Sequence, residues 1–419
     1  MKRVMFYCQH VLGMGHLVRS TAIAGALAEK FSVRLVIGGK ITGDFGFPEN
    51  IDLVQLPALQ SDPDCAGLLV CDSSLSLEEI KAVRSRMLLD AFDKFEPDVL
   101  ITELFPFGRK RFVFELLPLL ERAHGRAVRP LMVSSIRDIL VTKKDQPNHE
   151  RRVCRTLNKF YDLVLVHGDP NFQRLEETFG QVAGLRCGVE YTGYVVQRKM
   201  PAAAEGVELG ADGSPAIVVS DGSGGCQAGH LLLESVLRAA AALEDRIPHR
   251  FVVFAGPLMP TEAYERLQGL AAGLPNVTLE QYTPDLAAYL RRADLSVSMA
   301  GYNTVMDILS TGVRSLVFPV TTNDDQEQAL RARKLEKLGV LRMLGHEHLT
   351  PERLALEIQG ALRSKPSSLA LKLSGGETTL CLIEKHLAAR GDGTSQSEAI
   401  PCFREEDWAE TQRHEIYGA

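Results

Sequence analysis

The sequence predicts an α/β protein built from two Rossmann-like, doubly wound domains facing each other across a cleft. Three observations carry this. The chain opens on a strand (Lys2–Gln9), a glycine-bearing loop (His10 to Ser20), a helix from Leu17 to Phe31 and a second strand (Val33–Gly39). The same grammar restarts at Pro215–Gly225, a strand running into a glycine-rich loop, after a stretch rich in Ala, Gly and Pro that reads as a linker. The 419 residues are enough for two or three domains. The expected boundaries are an N-terminal domain over 1–199, a linker over 200–214 and a C-terminal domain over 215–370. A C-terminal helix over 371–390 then turns back toward the N-terminal domain. Residues 391–419 form a polar, acidic tail that holds Trp408, the chain's single tryptophan.

Composition narrows the function. Hydrophobic residues make up 45% and charged residues 24%, the profile of an ordinary globular chain. A net charge of −6 argues against broad nucleic-acid binding and against a polybasic membrane surface. No apolar run is long enough to span a bilayer. Lys2 and Arg3 open the chain like a signal peptide, but Gln9 and His10 break the apolar run, so the segment reads as a first strand. The eight cysteines form no CxxC pair, and no Cys/His cluster has zinc spacing. The expectation is reduced thiols in a cytoplasmic protein with no metal.

Candidate site residues follow from topology, because ligands of doubly wound sheets sit beyond the carboxyl ends of the strands. The first loop holds Gly13, Gly15 and His16 at a strand–helix junction. A helix start keeps an imidazole neutral, as a general base requires. Helix Ser76–Phe95 begins with a capping box, Ser76 and Glu79. Between Gln60 and Ser74 the chain reads as a surface loop around a short apolar run, Leu68–Val70, or with that run as a brief strand. Strand residues 99–102 end at Glu103, and a turn leads to Arg109, Lys110 and Arg111, which either face an anionic ligand or start a solvated helix. Another strand, from Arg129, ends at Arg137 and Asp138, read as a mutual pair or as acceptor contacts. His167 and Asp169 close a further strand.

In the second half, Gly222, Ser223, Gly224 and Gly225 follow the first strand. The stretch Ser298–Pro319 gives a strand end, a small-residue turn (Ala300, Gly301, Tyr302, Asn303, Thr304), a helix from Thr304 to Ser310, a stop at Gly312 and another strand. A helix starting in such a turn offers free backbone N–H groups and a positive dipole end, a place for a pyrophosphate. Asp307, one turn in, is placed to accept hydrogen bonds from ribose hydroxyls.

These motifs resemble the GT-B glycosyltransferases, in particular the branch of the N-acetylglucosaminyltransferases that complete the lipid-linked peptidoglycan precursor. The resemblance covers roughly Ile217 to Gly339. Its marks are Gly222–Gly225, Tyr282-Thr283-Pro284-Asp285-Leu286, the Ser298–Asp307 turn and helix, and Asp324-Asp325-Gln326-Glu327-Gln328 after Pro319. It implies that the Gly301 turn receives the diphosphate. It also implies that Asp307 stands where the family has a ribose-binding glutamate, and that Asp325 and Gln328 lie in the segment that reads the donor sugar. Thr192-Gly193-Tyr194-Val195 is similar to the end of that family's first domain. The first loop also resembles that of the UDP-sugar hydrolases of nonulosonic acid synthesis. Glu103–Arg109 and Ser135–Asp138 resemble a branch of predicted glycosyltransferases without an acceptor assignment.

The resemblance implies inverting, metal-independent transfer from a nucleotide-diphospho-sugar, uridine-linked by preference, to a hydroxyl. His16 would be the base, and the helix near Thr304 would hold the leaving diphosphate. Glu103, Arg109, Arg137 and Asp138 would stand on the acceptor side. No cofactor beyond the sugar nucleotide is expected. A hydrolase with water as acceptor, a 2-epimerase and a non-catalytic sugar-nucleotide sensor are the alternatives on the same scaffold.

Overall fold

The computed structural model describes residues 1–11, 14–41, 45–61, 67–71, 74–197, 209, 214–320, 326–365, 369 and 371–391. Gly13, Asp324, Asp325, most of the expected linker and the tail beyond residue 391 lie outside them.

Two wholly parallel sheets form the frame. The first has the order β3 (Ile51–Gln55), β2 (Ser32–Ile37), β1 (Arg3–Cys8), β6 (Val99–Glu103), β7 (Leu131–Arg137), β8 (Leu163–His167) and β9 (Gly188–Tyr191). The second has the order β12 (Val277–Glu280), β11 (Arg250–Phe254), β10 (Ala216–Ser220), β13 (Leu295–Met299), β14 (Ser315–Phe318) and β15 (Arg342–Met343). β4 (Leu59–Ser61) and β5 (Leu68–Val70) pair as a separate antiparallel hairpin. The expected surface loop thus contains a strand, the one its apolar run marks. β1, β6, β7, β8, β10, β13 and β14 are almost wholly buried apolar runs, as helix-covered parallel strands must be.

In each sheet the order reverses beside its first strand, between β1 and β6 and between β10 and β13. Such a switch point opens a crevice at the carboxyl ends of the two strands. This architecture is the GT-B fold. In the first half the crossovers are α1 (Gly15–Leu27), α2 (Leu77–Phe95), α3 (Val113–His124) and α4 (Gln146–Phe160). In the second they are α5 (Gln227–Leu243), α6 (Thr261–Ala271), α7 (Leu286–Leu290), α8 (Tyr302–Thr311) and α9 (Glu327–Lys337), and α10 (Pro351–Arg363) follows the last strand. α6 and α9 have no counterpart in the sequence reading. Both are short and polar, and α9 buries an unusual set that includes Glu327 and Arg331.

Local chemistry sets the helix ends. Ser76 Oγ accepts from the Glu79 N–H while Glu79 accepts from the Ser76 N–H, so the capping box forms. Gly312 ends α8 at φ +70°, the left-handed position that favours glycine. α8 starts at Tyr302, two residues earlier than the sequence reading has it, because Gly301 takes the N-cap conformation.

One buried ionic knot supports the first sheet. Arg84 on α2 and Glu115 on α3 are both fully buried, joined at 2.6 Å and 2.9 Å. Tyr7 on β1 donates to the same carboxylate, and Arg84 also donates to Gln9 and to the carbonyls of Gly38 and Pro57. The loops after β1, β2 and β3 are therefore tied to one guanidinium.

After the second sheet the chain returns to the first. Tyr194 N–H donates to the Lys372 carbonyl at 2.7 Å, and Gly375 N–H to the Tyr194 carbonyl at 2.9 Å. α11 (Gly375–Gly391) starts there, where a Cβ on residue 375 would lie 2.7 Å from the Gly193 and Tyr194 carbonyl oxygens. The chain divides into a body, Met1–Leu382, and a segment, Ile383–Ala419, whose described part continues the helix. Among the described residues no helix is long and apolar enough to cross a membrane.

Replacing Arg84 by alanine leaves Glu115 as an unpaired buried charge. The expected loss is about 3–5 kcal/mol, read as a lower denaturant midpoint. An unchanged midpoint would show that the knot does not support the sheet.

Candidate active site

The two switch points face each other. β1 leads through the first loop into α1, whose first two residues are Gly15 and His16, and β6 ends on Glu103. The neighbouring β7 ends on Arg137, with Glu103 in register with Ser135. Three adjacent strand ends thus bring one imidazole, one carboxylate and one guanidinium together.

Their contacts define a protonation state. His16 Nδ1 lies 2.6 Å from Glu103 Oε1, and Arg137 Nη2 lies 3.1 Å from His16 Nε2. A carboxylate only accepts and a guanidinium only donates. Arg19 Nη2 also lies 3.4 Å from Nδ1, but it donates to Glu103, and the 2.6 Å carboxylate contact is the stronger one, so the imidazole is neutral with its proton on Nδ1 and its lone pair on Nε2. Burial pulls its pKa down to about 3, Glu103 opposes the shift, and Arg109 and Arg137 reinforce it. The side chain is still 18% exposed. Glu103 is fully buried. Arg19 donates to Oε1, and Arg109 reaches Oε2 at 3.5 Å. Burial works against the Glu103 charge, but His16, Arg109 and Arg19 outweigh it and hold the carboxyl below the usual carboxylate range. Leu104 follows at φ +62°, a strained conformation for a side-chain-bearing residue.

In the second half, Gly301 caps α8 without a side-chain hydrogen bond, so the first N–H groups of Tyr302, Asn303 and Thr304 face the crevice. Asn303 Nδ2 donates to the Gly15 carbonyl at 3.3 Å. The N-termini of α1 and α8 therefore meet, and His16 stands beside the positive end of α8. Gly222 lies opposite Thr304, where a Cβ would be 3.7 Å from Thr304 Oγ1. Gly222 and Gly224 have φ near +80°. A Cβ on Gly224 would lie 2.6 Å from the Ala255 carbonyl oxygen, and one on Gly256 would overlap Gly224 itself. Leu258 N–H donates to the Ser223 carbonyl at 2.8 Å, fixing this loop against the one after β11. Gly225 is exposed beside Leu258. A small cavity near these loops is lined by His10, Val11, Met14, Lys40, Gln60 and Leu258.

Asp221, just before this loop, is buried, and neither carboxyl oxygen has a hydrogen-bond partner. Burial alone pushes its pKa up to about 8. It packs on Gly229, where any Cβ would overlap the carboxyl.

Several expectations are corrected. Arg137 and Asp138 do not pair with each other. Arg137 is the last residue of β7 and Asp138 lies in the bend beyond it, and each is taken by a partner from the second half. Arg137 bonds Glu327 on α9 at 2.8 Å and 2.6 Å, and Asp138 accepts from Arg331 at 2.7 Å and from Tyr194 at 3.0 Å. Glu103 and Asp138 are fully buried and occupied, so neither is an open acceptor contact. Arg109 turns onto Glu103 rather than into a solvated helix start. His167 is enclosed between Ser135 Oγ and Thr192 Oγ1, and Asp169 accepts from the Asn171 and Lys372 N–H groups.

The Tyr302 ring is packed between Arg19 and Arg331, with centroid distances of 5.3 Å and 5.0 Å, and its hydroxyl donates to the His167 carbonyl at 3.3 Å. Gln328 Oε1 accepts from the Val320 N–H at 3.1 Å, tying α9 to β14. Asp307 is half-buried on α8, Ala300 is buried at the end of β13, and Tyr282 is 38% exposed beyond the edge strand β12. Asp325 lies outside the described residues. Arg19 and Arg331 were missed, and Glu327 was read only as part of the segment that the resemblance links to the donor sugar. The spacings His16/Arg19 and Glu327/Arg331 (i,i+3 and i,i+4 on helices) were the available signal.

Residues 216–375 match the Glycosyltransferase family 28 C-terminal domain. Among curated relatives, a "UDP-N-acetylglucosamine--N-acetylmuramyl-(pentapeptide) pyrophosphoryl-undecaprenol N-acetylglucosamine transferase" of Methylobacterium radiotolerans is 30% identical over 151 residues, 36% of this chain and 40% of the relative. The Hahella chejuensis protein of the same name is 28% identical over 205 residues, 49% and 55%. The chain thus spans about half or less of the length of these relatives. Among solved structures, the calicheamicin glycosyltransferase superposes with a TM-score of 0.55 at 15% identity, over 93% of this chain and 95% of that one. MurG of Acinetobacter baumannii gives 0.52 at 17%, over 92% and 100%. At this identity the likeness establishes the fold.

His16 and the fully buried His167 both have pKa values near 3, against about 6.5 in an unfolded chain. Between those values the unfolded chain binds protons that the native one does not, so stability falls as pH drops below about 6.5. The expected loss at pH 5 is about 2 kcal/mol for each histidine. Denaturant midpoints at pH 7 and pH 5 measure it. His167→Gln should flatten the dependence, and an identical slope would contradict this account.

Proposed function

We propose that this chain is an inverting glycosyltransferase that moves a sugar from a uridine-linked diphospho-sugar to an acceptor hydroxyl without a metal ion. The observation that carries the reading is the neutral, Nδ1-protonated His16 facing the uncapped N-terminus of α8. The family 28 match over residues 216–375 supports a sugar-nucleotide donor on that half.

In this reading the diphosphate lies on the N–H groups at the start of α8, with the Gly222–Gly225 loop on its other side. The acceptor oxygen attacks the anomeric carbon as its proton passes to His16 Nε2. The bond from that carbon to the diphosphate breaks, and its electron pair leaves with the diphosphate. Positive charge grows on the sugar and negative charge on the phosphates, where the helix dipole stabilises it. Glu103 keeps the proton on Nδ1 and stabilises the imidazolium as it forms. Asp307, on the same helix as the diphosphate site, is the ribose contact.

The test is nucleoside diphosphate release from UDP-, dTDP- and GDP-sugars, with and without a small-molecule cell extract. Extract-dependent release is expected from a UDP-sugar. His16→Asn should lower it by about 10²–10⁴-fold, the range for a general base. Glu103→Gln should lower it by about 10²-fold or more, because an amide admits the wrong tautomer. Release without extract, at the same rate, would make the protein a hydrolase and overturn the assignment.

A further inference from the structure

The groups around His16 form one continuous cluster: Arg19, Arg109, Arg137 and Arg331 against Glu103, Asp138 and Glu327. Among the described residues, and with His16 neutral, four guanidinium groups meet three carboxylates, a surplus of one positive charge. The surplus is buried. Arg331 is 0% exposed, Arg19 2% and Arg109 9%, and Arg137, at 18%, is the one that reaches solvent. Arg19 Nε, Arg109 Nε, Arg137 Nε and Arg331 Nη1 have no hydrogen-bond partner. A buried charge without a counter-charge is costly, so the cluster favours an incoming anion.

The same cluster obstructs the base. Arg137 donates into the lone pair that must take the acceptor's proton, while Glu327 and Arg331 of the second half hold it there. A proton on Nε2 would add an imidazolium to the arginines already present. A pKa near 3 also makes His16 a feeble base at neutral pH. An anion beside Arg137 answers both problems. It gives the guanidinium a stronger acceptor than an imidazole nitrogen, and its charge favours the protonated imidazole.

We propose that the acceptor is an anion whose carboxylate or phosphate docks on Arg137, drawing the guanidinium off His16 Nε2 so that a neighbouring hydroxyl takes its place. This rests on the glycosyl-transfer reading and names its acceptor class. Arg137 is in this view a binding residue for the acceptor, shared between the two halves through Glu327. The nucleophile is the hydroxyl, and the anionic group takes no part in bond making.

The test uses the full chain with nitrogen-labelled histidine. The His16 Nε2 resonance, assigned by its loss in His16→Asn, is followed while inorganic phosphate, acetate or glycerol is added. Phosphate or acetate should shift it saturably, and glycerol should not. Arg137→Met should raise the half-saturating concentration by about tenfold or more, the effect of losing one charge-assisted hydrogen bond. Arg137→Lys should fall between. The anion with the lower half-saturation tells a phosphate acceptor from a carboxylate one. No saturable shift overturns the proposal, and an equal shift in Arg137→Met shows an adventitious ion only and overturns it too. UDP binding, measured in parallel on both proteins, reports folding of the variant. Its absence from the wild type would strike the glycosyl-transfer reading, whatever the anions do.

Discussion

The site depends on the carboxylate of Glu103. It is wholly enclosed at the end of β6, and Arg19, Arg109 and His16 all converge on it. Coulomb attraction in a water-poor setting makes each contact stronger than it would be at the surface, and makes any unpaired remainder costly. The carboxylate therefore fixes where α1 begins relative to β6, which nitrogen of His16 holds the proton, and where the free lone pair points. A strained turn at Leu104 directly after it is tolerated because these contacts determine the geometry on both sides.

The two halves are joined by similar physics. Glu327 and Arg331 on α9 reach Arg137 and Asp138 at the end of β7, and the Tyr302 ring lies between Arg19 and Arg331. Ionic contacts between domains can exchange partners more readily than an apolar seam can separate, because each group finds water or a ligand as a substitute. The segment that the family resemblance links to sugar recognition is thus also the one that reaches His16 through a single arginine.

Much of the frame was legible because it rests on local signals. Apolar runs marked the buried strands, Gly312 and Ser76 marked helix ends, and the paired strand–loop–helix starts marked two doubly wound sheets. His16, Gly15 and the Gly301 turn were legible for the same reason, since each sits at a strand–helix junction whose topology is set nearby in sequence. The partners of those residues were not. Arg137 meets Glu327 across 190 positions, and Arg331 meets Asp138 across 193. No periodicity reports such a pairing. The adjacent Arg137 and Asp138 invited a local pairing, but each is taken by a partner from α9. α9 was missed because its buried face mixes Glu327 and Arg331, residues that a hydrophobic pattern counts as solvent-facing, with only Ala329, Ala332 and Leu335.

The interlock of Gly224 with the Ala255–Gly256 turn has an evolutionary reading. Neither position admits a Cβ while the other loop keeps its path, so a one-step exchange at either is blocked by backbone rather than by a side chain that could rotate away. The two loops belong to neighbouring strands and can change course only together, through simultaneous rearrangement of both. Sequence drift in this lineage would then be channelled outward, to the strand ends of the first half, where side chains rather than main chain make the contacts. Exchanges there leave the two interlocked loops as they are.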